Sequence, residues 1–245
     1  MLVPVGKNLQ CNTCTDDMPT RASTYGQFCP VAKACEVFAE RWTPLIIREM
    51  FVGSGRFNDI HRGVPLMSRS LLSARLQELE RAGVIQRTEG GGYSLTPAGQ
   101  ELGPIVLQLG LWGKRWVRSE VRSDELDAGL LMWDMRRRID HQNLPDERVV
   151  VHFLYQDAPV GRQRWWLVID KEDVDLCMVD PGIEPDLHVS SPLATMVAIW
   201  MGDLSYGTAL QRGDLRVAGP AKLRVRLPSW LRLSVFADME YHPTE

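Results

Sequence analysis

The sequence lacks the features that most quickly fix a function class. It has no run of 18 apolar residues, so no membrane-spanning helix is expected. Its start, MLVPVGKNLQCNTCTDDMPTR, has no basic region followed by an apolar one, so no secretory leader is expected. The protein is therefore expected in the cytoplasm, with its thiols reduced. There are only 5 cysteines. Cys11 and Cys14 make a lone Cys-x-x-Cys; Cys29 and Cys35 bring the number to four, but at a spacing that fits no common zinc knuckle. His141, His152, His188 and His242 are scattered, so no metal is expected. Gly-x-Ser-x-Gly, phosphate-loop and dinucleotide fingerprints are missing, which leaves no cofactor and no catalytic constellation to propose.

What is present is asymmetric. The overall charge is −3, yet residues 27–118 carry 12 Lys/Arg against 8 Asp/Glu, and residues 119–245 carry 14 against 21. A basic first half beside an acidic second half suits nucleic-acid contact by the first half alone. The length allows two domains, and 44% hydrophobic residues allow each a core.

Residues 1–27 are polar and irregular and are expected to form a mobile arm, in which Met18 is an alternative start. Order is expected from Cys29-Pro30, with Val31, Ala34, Cys35 and Phe38 on one helical face. Thr43-Pro44 repeats the start signal, with Thr43 as cap, for a helix burying Leu45, Ile46 and Met50 and stopping at Gly53. A short helix carries Phe57 and Ile60 and ends at Gly63.

The most informative stretch is SRSLLSARLQELERAGVIQRTEGGGYSLT, residues 68–96. Ser68 caps a helix with Leu72, Leu76 and Leu79 on its core face. Its outward face, Ser70, Ser73, Ala74, Gln77 and Arg81, is short and polar near the N-terminus. That is what entry into a major groove requires: small side chains admit the backbone, and the first turns reach base edges. After Gly83 come two short strands around Gly90-Gly91, the wing of a winged helix-turn-helix. The residues expected at DNA are Arg56, Ser68, Arg69, Ser70, Ser73 and Gln77, with Arg87 and Thr88 on the wing. Arg75 leans toward the core and is expected to pair with Glu36 or Glu78. A helix from Thr96-Pro97 then repeats Leu102, Ile105, Leu109, Trp112 and Trp116, with Pro104 expected to kink it near its start. This stripe either covers its own domain or forms a two-fold dimer seam, the reading preferred here.

Several motifs together resemble the HxlR family, relatives of the MarR-type winged-helix regulators. They are Cys29-Pro30-Val31, Glu40-Arg41-Trp42-Thr43, Arg56-Phe57-Asn58-Asp59-Ile60, Leu71-Leu72-Ser73-x-Arg75-Leu76-x-x-Leu79-Glu80-x-x-Gly83 and Tyr93-x-Leu95-Thr96-x-x-Gly99. The resemblance implies a dimeric, DNA-binding regulator, often a repressor, acting on double-stranded operator DNA. Some members sense electrophiles or oxidants through a cysteine at the position of Cys29, where a helix N-terminus would stabilise a thiolate.

Residues 119–129 read as a charged linker, and residues 130–245 as a second, α+β domain. A helix from Leu130 ends in Arg136-Arg137-Arg138, a triplet suited to the helix dipole or to an extended DNA footprint. Period-2 strands follow at residues 149–155, 164–170, 174–179 and 187–190, then helices at 193–200 and 205–212, a strand at 215–219 and a helix at 223–230. Asp186-Leu187-x-Val189, Ile199-x-x-Gly202-Asp203 and Ala209-Leu210-x-x-Gly213 resemble the sterol-carrier-protein-2-like fold, which implies a sheet meander and an apolar tunnel between helices and sheet. Trp133, Trp166, Trp200 and Trp230 are the candidate walls for a hydrophobic ligand, or plain core, with Trp165 alternating to the other sheet face. The expectation is an α+β regulator, an N-terminal winged helix-turn-helix at residues 28–118 followed by the ligand-binding domain. The alternative is a lipid carrier whose winged helix serves protein contacts.

Overall fold

Pro30, Pro44 and Pro97 each stand in the first turn of a helix, where a missing N–H costs nothing. The structure, a computed structural model, describes residues 24–117, 121–171 and 173–238. The Cys11–Cys14 pair, Met18, most of the N-terminal arm, the first residues of the linker and His242 lie outside them.

Helix α1 spans Pro30–Phe38. Within it Glu36 accepts from Lys33 Nζ (3.0 Å) and from the Tyr25 backbone N–H (3.0 Å). Val31, expected inward, is exposed, and Ala32 is the buried residue.

From residue 41 onward the chain builds a helical half and a sheet half. Helix α2 covers Thr43–Phe51, α3 Phe57–Gly63 and α4 Arg69–Arg81. The expected Thr43 cap does not form. Thr43 is inside the helix and buried, and Trp42 holds the cap position at φ 78°, under the Arg41 guanidinium. Leu45, expected in the core, is half exposed, and the buried face is Ile46, Ile47, Glu49 and Met50. The turn from α3 to α4 is closed by His61 Nε2 and the Met67 carbonyl (2.9 Å). Strands β1 (Ile85–Arg87) and β2 (Tyr93–Leu95) pair antiparallel, Ile85 opposite Leu95.

Helix α5, Pro97–Trp116, is unbroken across Pro104. It buries Gly99, Gly103, Val106 and Lys114, and the missing side chain at Gly103 lets it approach Phe51 of α2 closely. Its apolar stripe is left outside: Ile105 is 52% exposed, Leu109 47%, Trp112 56% and Trp116 43%.

The second half begins inside the expected linker. Asp127 Oδ1 accepts from the N–H groups of Gly129 (2.7 Å) and Leu130 (3.0 Å), so α6 runs from Ala128 to Arg137. Five strands follow in the order β5-β4-β3-β6-β7, where β3 is Val149–Leu154, β4 Arg164–Ile169, β5 Val174–Cys177, β6 Leu187–Ser190 and β7 Arg216–Ala218. The sheet is mixed. Only β3, β4 and β5 form a meander; β6 crosses back to pair parallel with β3, Phe153 opposite Val189. Helices α7 (Leu193–Trp200), α8 (Tyr206–Arg212) and α9 (Ala221–Trp230) join α6 against one face of the sheet.

The space between that face and the helices is filled. Phe153, Tyr155, Trp165, Leu167, Met132 and Trp230 pack there with almost no exposed surface. Apolar side chains of this size interdigitate at crystal-like density and leave little room for a ligand. Trp165 faces the helices and Trp166 the opposite side, beside His152 (ring centroids 4.9 Å), the reverse of the sequence expectation. The run Trp165-Trp166-Leu167-Val168-Ile169 is apolar at every position, so alternation alone does not set its phase; pairing of Leu167 with buried Val151 does.

Candidate nucleic-acid interface

Helix α4 is held from one side. Leu72, Leu76 and Leu79 are fully buried, which fixes the rotation of the helix and leaves Ser70, Ala74, Gln77 and Arg81 exposed and Ser73 partly so. Ser68 caps it, accepting from the Leu71 N–H (3.3 Å), and its hydroxyl lies 3.2 Å from that of Ser70. Arg69 is tethered. Its Nη2 donates to Asn58 Oδ1 (2.8 Å) and its guanidinium lies over the Phe57 ring (4.9 Å), so α3 sets its direction. Arg56 is exposed at the cap position of α3. Arg75 pairs with Glu78 (2.6 Å), one of the two partners expected for it, and its side chain is 16% exposed.

The wing is built on close backbone approach. Thr88 Oγ1 accepts from the Gly92 N–H (3.1 Å), so this hydroxyl closes the turn as well as facing outward. Tyr93 N–H donates to the Gly55 carbonyl (2.7 Å), which ties the wing to the loop between α2 and α3. A Cβ on Gly92 would stand 2.8 Å from that same carbonyl, so only glycine fits. Arg87, on the edge of the wing, lies over Tyr93 (5.1 Å) and within 3.4 Å of Glu80. Ser68, Arg69, Ser70, Gln77, Arg87 and Thr88 thus stand exposed on α4 and the wing, the two elements of a winged helix that meet DNA.

The four tryptophans expected to wall a ligand site do not converge. Trp230 is fully buried core. Trp166 lies on the sheet face away from the helices. Trp133 is stacked among Arg62 (5.0 Å), Arg136 (5.3 Å) and Arg137 (5.5 Å). Only Trp200 lines an apolar cavity. No group of three His, Cys, Asp or Glu able to hold a metal occurs among the described residues, and no helix there is long and apolar enough to cross a membrane.

Sequence reading missed a buried ionic cluster. Glu49 on α2 is fully buried; it accepts from Arg48 (2.8 Å) and from Arg137 of α6 (2.7 Å), and Arg137 also pairs with Asp134. A Cβ on Gly63 would fall 1.9 Å from the Glu49 carboxylate, so α3 presses on the cluster through a glycine. The signal was available: Glu49 stands three residues after Ile46 and beside Met50, on the apolar face of its helix. The Arg136–Arg138 triplet likewise has separate tasks, Arg136 donating to the Val174 carbonyl (2.5 Å) and Arg138 to that of Leu233 (2.6 Å). Lys114, buried on α5, donates to the carbonyls of Met201 (2.5 Å) and Ala237 (3.3 Å).

Comparison with known proteins agrees with this geometry. Residues 37–121 match the model of the HxlR-like helix-turn-helix family. The chain is 36% identical over 98 residues to the uncharacterized HTH-type transcriptional regulator YvaP of Bacillus subtilis, a match covering 37% of this chain and 91% of that protein. It is 31% identical over 106 residues to YdeP of the same organism, covering 41% of this chain and 80% of that protein. Among solved structures, quinone-bound YodB from B. subtilis aligns over 35% of this chain and 96% of that one, with 31% identity and a TM-score of 0.32. With most of a relative more than 30% identical to it covered, the chain belongs, through its helix-turn-helix segment, to the HxlR-like family of transcriptional regulators.

Proposed function

We propose that the protein is a dimeric transcription regulator, acting as a repressor, that reads operator DNA with α4 and the wing and responds to a hydrophobic ligand held by its C-terminal half. The observation that carries the DNA reading is the outward face of α4: short polar residues at its N-terminal end, a core-locked back, and Arg87 beside it on the wing. Base-edge contacts then fall to Ser70, Ser73 and Gln77, and phosphate contacts to Arg56, Arg69 and Arg87. The exposed stripe of α5 supports the dimer, since a two-fold seam there would set two α4 helices to successive turns of one DNA face.

The test is binding to the chain's own upstream DNA, followed by fluorescence anisotropy over a salt series. Gln77→Ala should relax base preference at one or two operator positions, each by about 1–3 kcal/mol of discrimination. Arg87→Ala should weaken all sequences evenly and flatten the salt dependence by about one ion. A change of base preference in Arg87→Ala would refute the wing assignment, and no binding at low salt would refute the regulator.

A second reading rests on Cys29. Its thiol stands at the cap position of α1 and is held below the ordinary cysteine value by the backbone N–H groups of Ala32 and then Val31. A thiol shifted in this direction yields its nucleophilic thiolate more readily, which suits control by oxidants or electrophiles. Alkylation of Cys29 by iodoacetamide should show a pH midpoint below that of Cys177, whose thiol burial pushes up. Equal midpoints, or unaltered DNA affinity after Cys29 is oxidised, would remove this reading.

A further inference from the structure

The apolar cavity that Trp200 lines is bounded by helices and the segments that follow them, with no strand residue in its wall. It has a volume of about 340 Å³ and is walled by Met135 of α6, Met196 and Ile199 of α7, Leu204, Tyr206 of α8 and the 228–233 segment that ends α9. That is the lower end of the range for small-molecule sites. No charged side chain stands in the wall, so a charged ligand would be desolvated without compensation. One polar group is left over. Tyr206 Oη is shut off from solvent and makes no hydrogen bond, and burial pushes its pKa up to about 12, so it remains a neutral donor. A buried hydroxyl without a partner costs free energy that a ligand oxygen would recover.

The walls of this cavity are also the parts of the C-terminal half that grip the DNA-binding half. Helix α6 supplies Met135 to the cavity and, on neighbouring positions, Trp133 to Arg62 of α3 and Arg137 to Glu49 of α2. The end of α7 supplies Trp200 and Gly202, and the carbonyl between them, that of Met201, is the one Lys114 of α5 holds. Leu233 lines the cavity while its carbonyl accepts from Arg138. The cavity wall is thus joined by direct contacts to α2, α3 and α5.

We propose that this cavity is the effector site, that it takes a small neutral apolar molecule bearing one hydrogen-bonding oxygen set against Tyr206, and that its occupancy reaches the DNA-binding half through α6 and the end of α7. The proposal rests on the reading that a hydrophobic ligand controls this regulator, and it adds where that ligand sits and what it is made of. A ligand acts this way only if it binds the DNA-competent and incompetent arrangements unequally.

Calorimetry on the full chain with 2-naphthol and naphthalene tests the site. One saturable 2-naphthol site per chain is expected. Leu204→Trp, which fills the cavity from its rim, should weaken both probes at least tenfold, and Tyr206→Phe should weaken 2-naphthol severalfold and leave naphthalene unchanged. No saturable binding, or Leu204→Trp binding as the wild type does, would overturn the site. Operator anisotropy with and without saturating 2-naphthol tests the coupling. A shift in the wild type that Leu204→Trp abolishes supports it, and no shift from bound 2-naphthol overturns it. An equal shift in both proteins would leave ligand control standing and place it elsewhere. If the chain bound no DNA, the regulator reading would fall, and calorimetry would still judge the cavity.

Discussion

Glu49→Gln should destabilise the full chain by about 3–5 kcal/mol, the usual cost of removing one partner from a buried ionic cluster. The substitution keeps the shape that Gly63 accommodates and removes only the charge. Two guanidiniums, those of Arg48 and Arg137, then face an uncharged amide with Asp134 as the remaining carboxylate nearby. Burial already raises the pKa of Asp134, against the pull of Arg137, so it is a poor substitute counter-ion. Arg137→Met should cost less, because Arg48 still neutralises Glu49. Replacing Glu49 and Arg137 together by methionine should recover much of the loss, since apolar side chains often replace a buried ion pair at little cost. Urea unfolding followed by tryptophan fluorescence measures all three. If Glu49→Gln unfolded within about 0.5 kcal/mol of the wild type, the range of ordinary surface changes, the cluster would be solvated and would not join the two halves.

That cluster also marks where reading the sequence stopped short. The winged helix was legible because its signals are local. Ser68 caps α4, Leu72, Leu76 and Leu79 fix its face, Gly83 ends it, and Thr96-Pro97 opens α5; each falls where helix and turn chemistry alone put it. The strands at 149–154, 164–169 and 187–190 were legible for the same reason. Their arrangement was not. Nothing in the residues 178–186 says that the chain returns across the sheet to pair β6 parallel with β3, and the uniformly apolar Trp165–Ile169 run carries no phase. Where the four tryptophans fall turns on the same long-range dependence. Which way Trp166 faces is decided by register with β3, and Trp133, beside Arg136 and Arg137 on its own helix, meets Arg62, 71 residues away, only because α3 and α6 pack together. Glu49 and Lys114 show the same limit. A lone charge on an apolar helix face announces that a partner exists, but the partner, Arg137 for one and the Met201 and Ala237 carbonyls for the other, is chosen by the tertiary fold.

The consequence for function is that the two halves are not independent. The apolar cavity, the α2 anchor and the α5 anchor share α6 and the end of α7. The stripe itself gives the largest expected effect on DNA binding. If the proposed dimer forms through this stripe, Trp112→Glu should give a monomer and reduce operator affinity on the order of 10²–10⁴-fold, the amount by which simultaneous engagement of two half-sites exceeds single engagement. Trp112 is 56% exposed in the single chain, between Leu109 and Trp116 on the same face. A carboxylate there costs the isolated chain little, within about 0.5 kcal/mol for an exposed position, yet in a seam it would be desolvated opposite its own symmetry copy. Trp112→Phe keeps the apolar area and should keep the dimer. Light scattering gives the mass, thermal unfolding checks that the monomer is intact, and anisotropy gives the affinity. A Trp112→Glu protein that remained dimeric with full operator affinity would place the seam off this face of α5, and the route from cavity to DNA spacing would then have to run through α2 and α3.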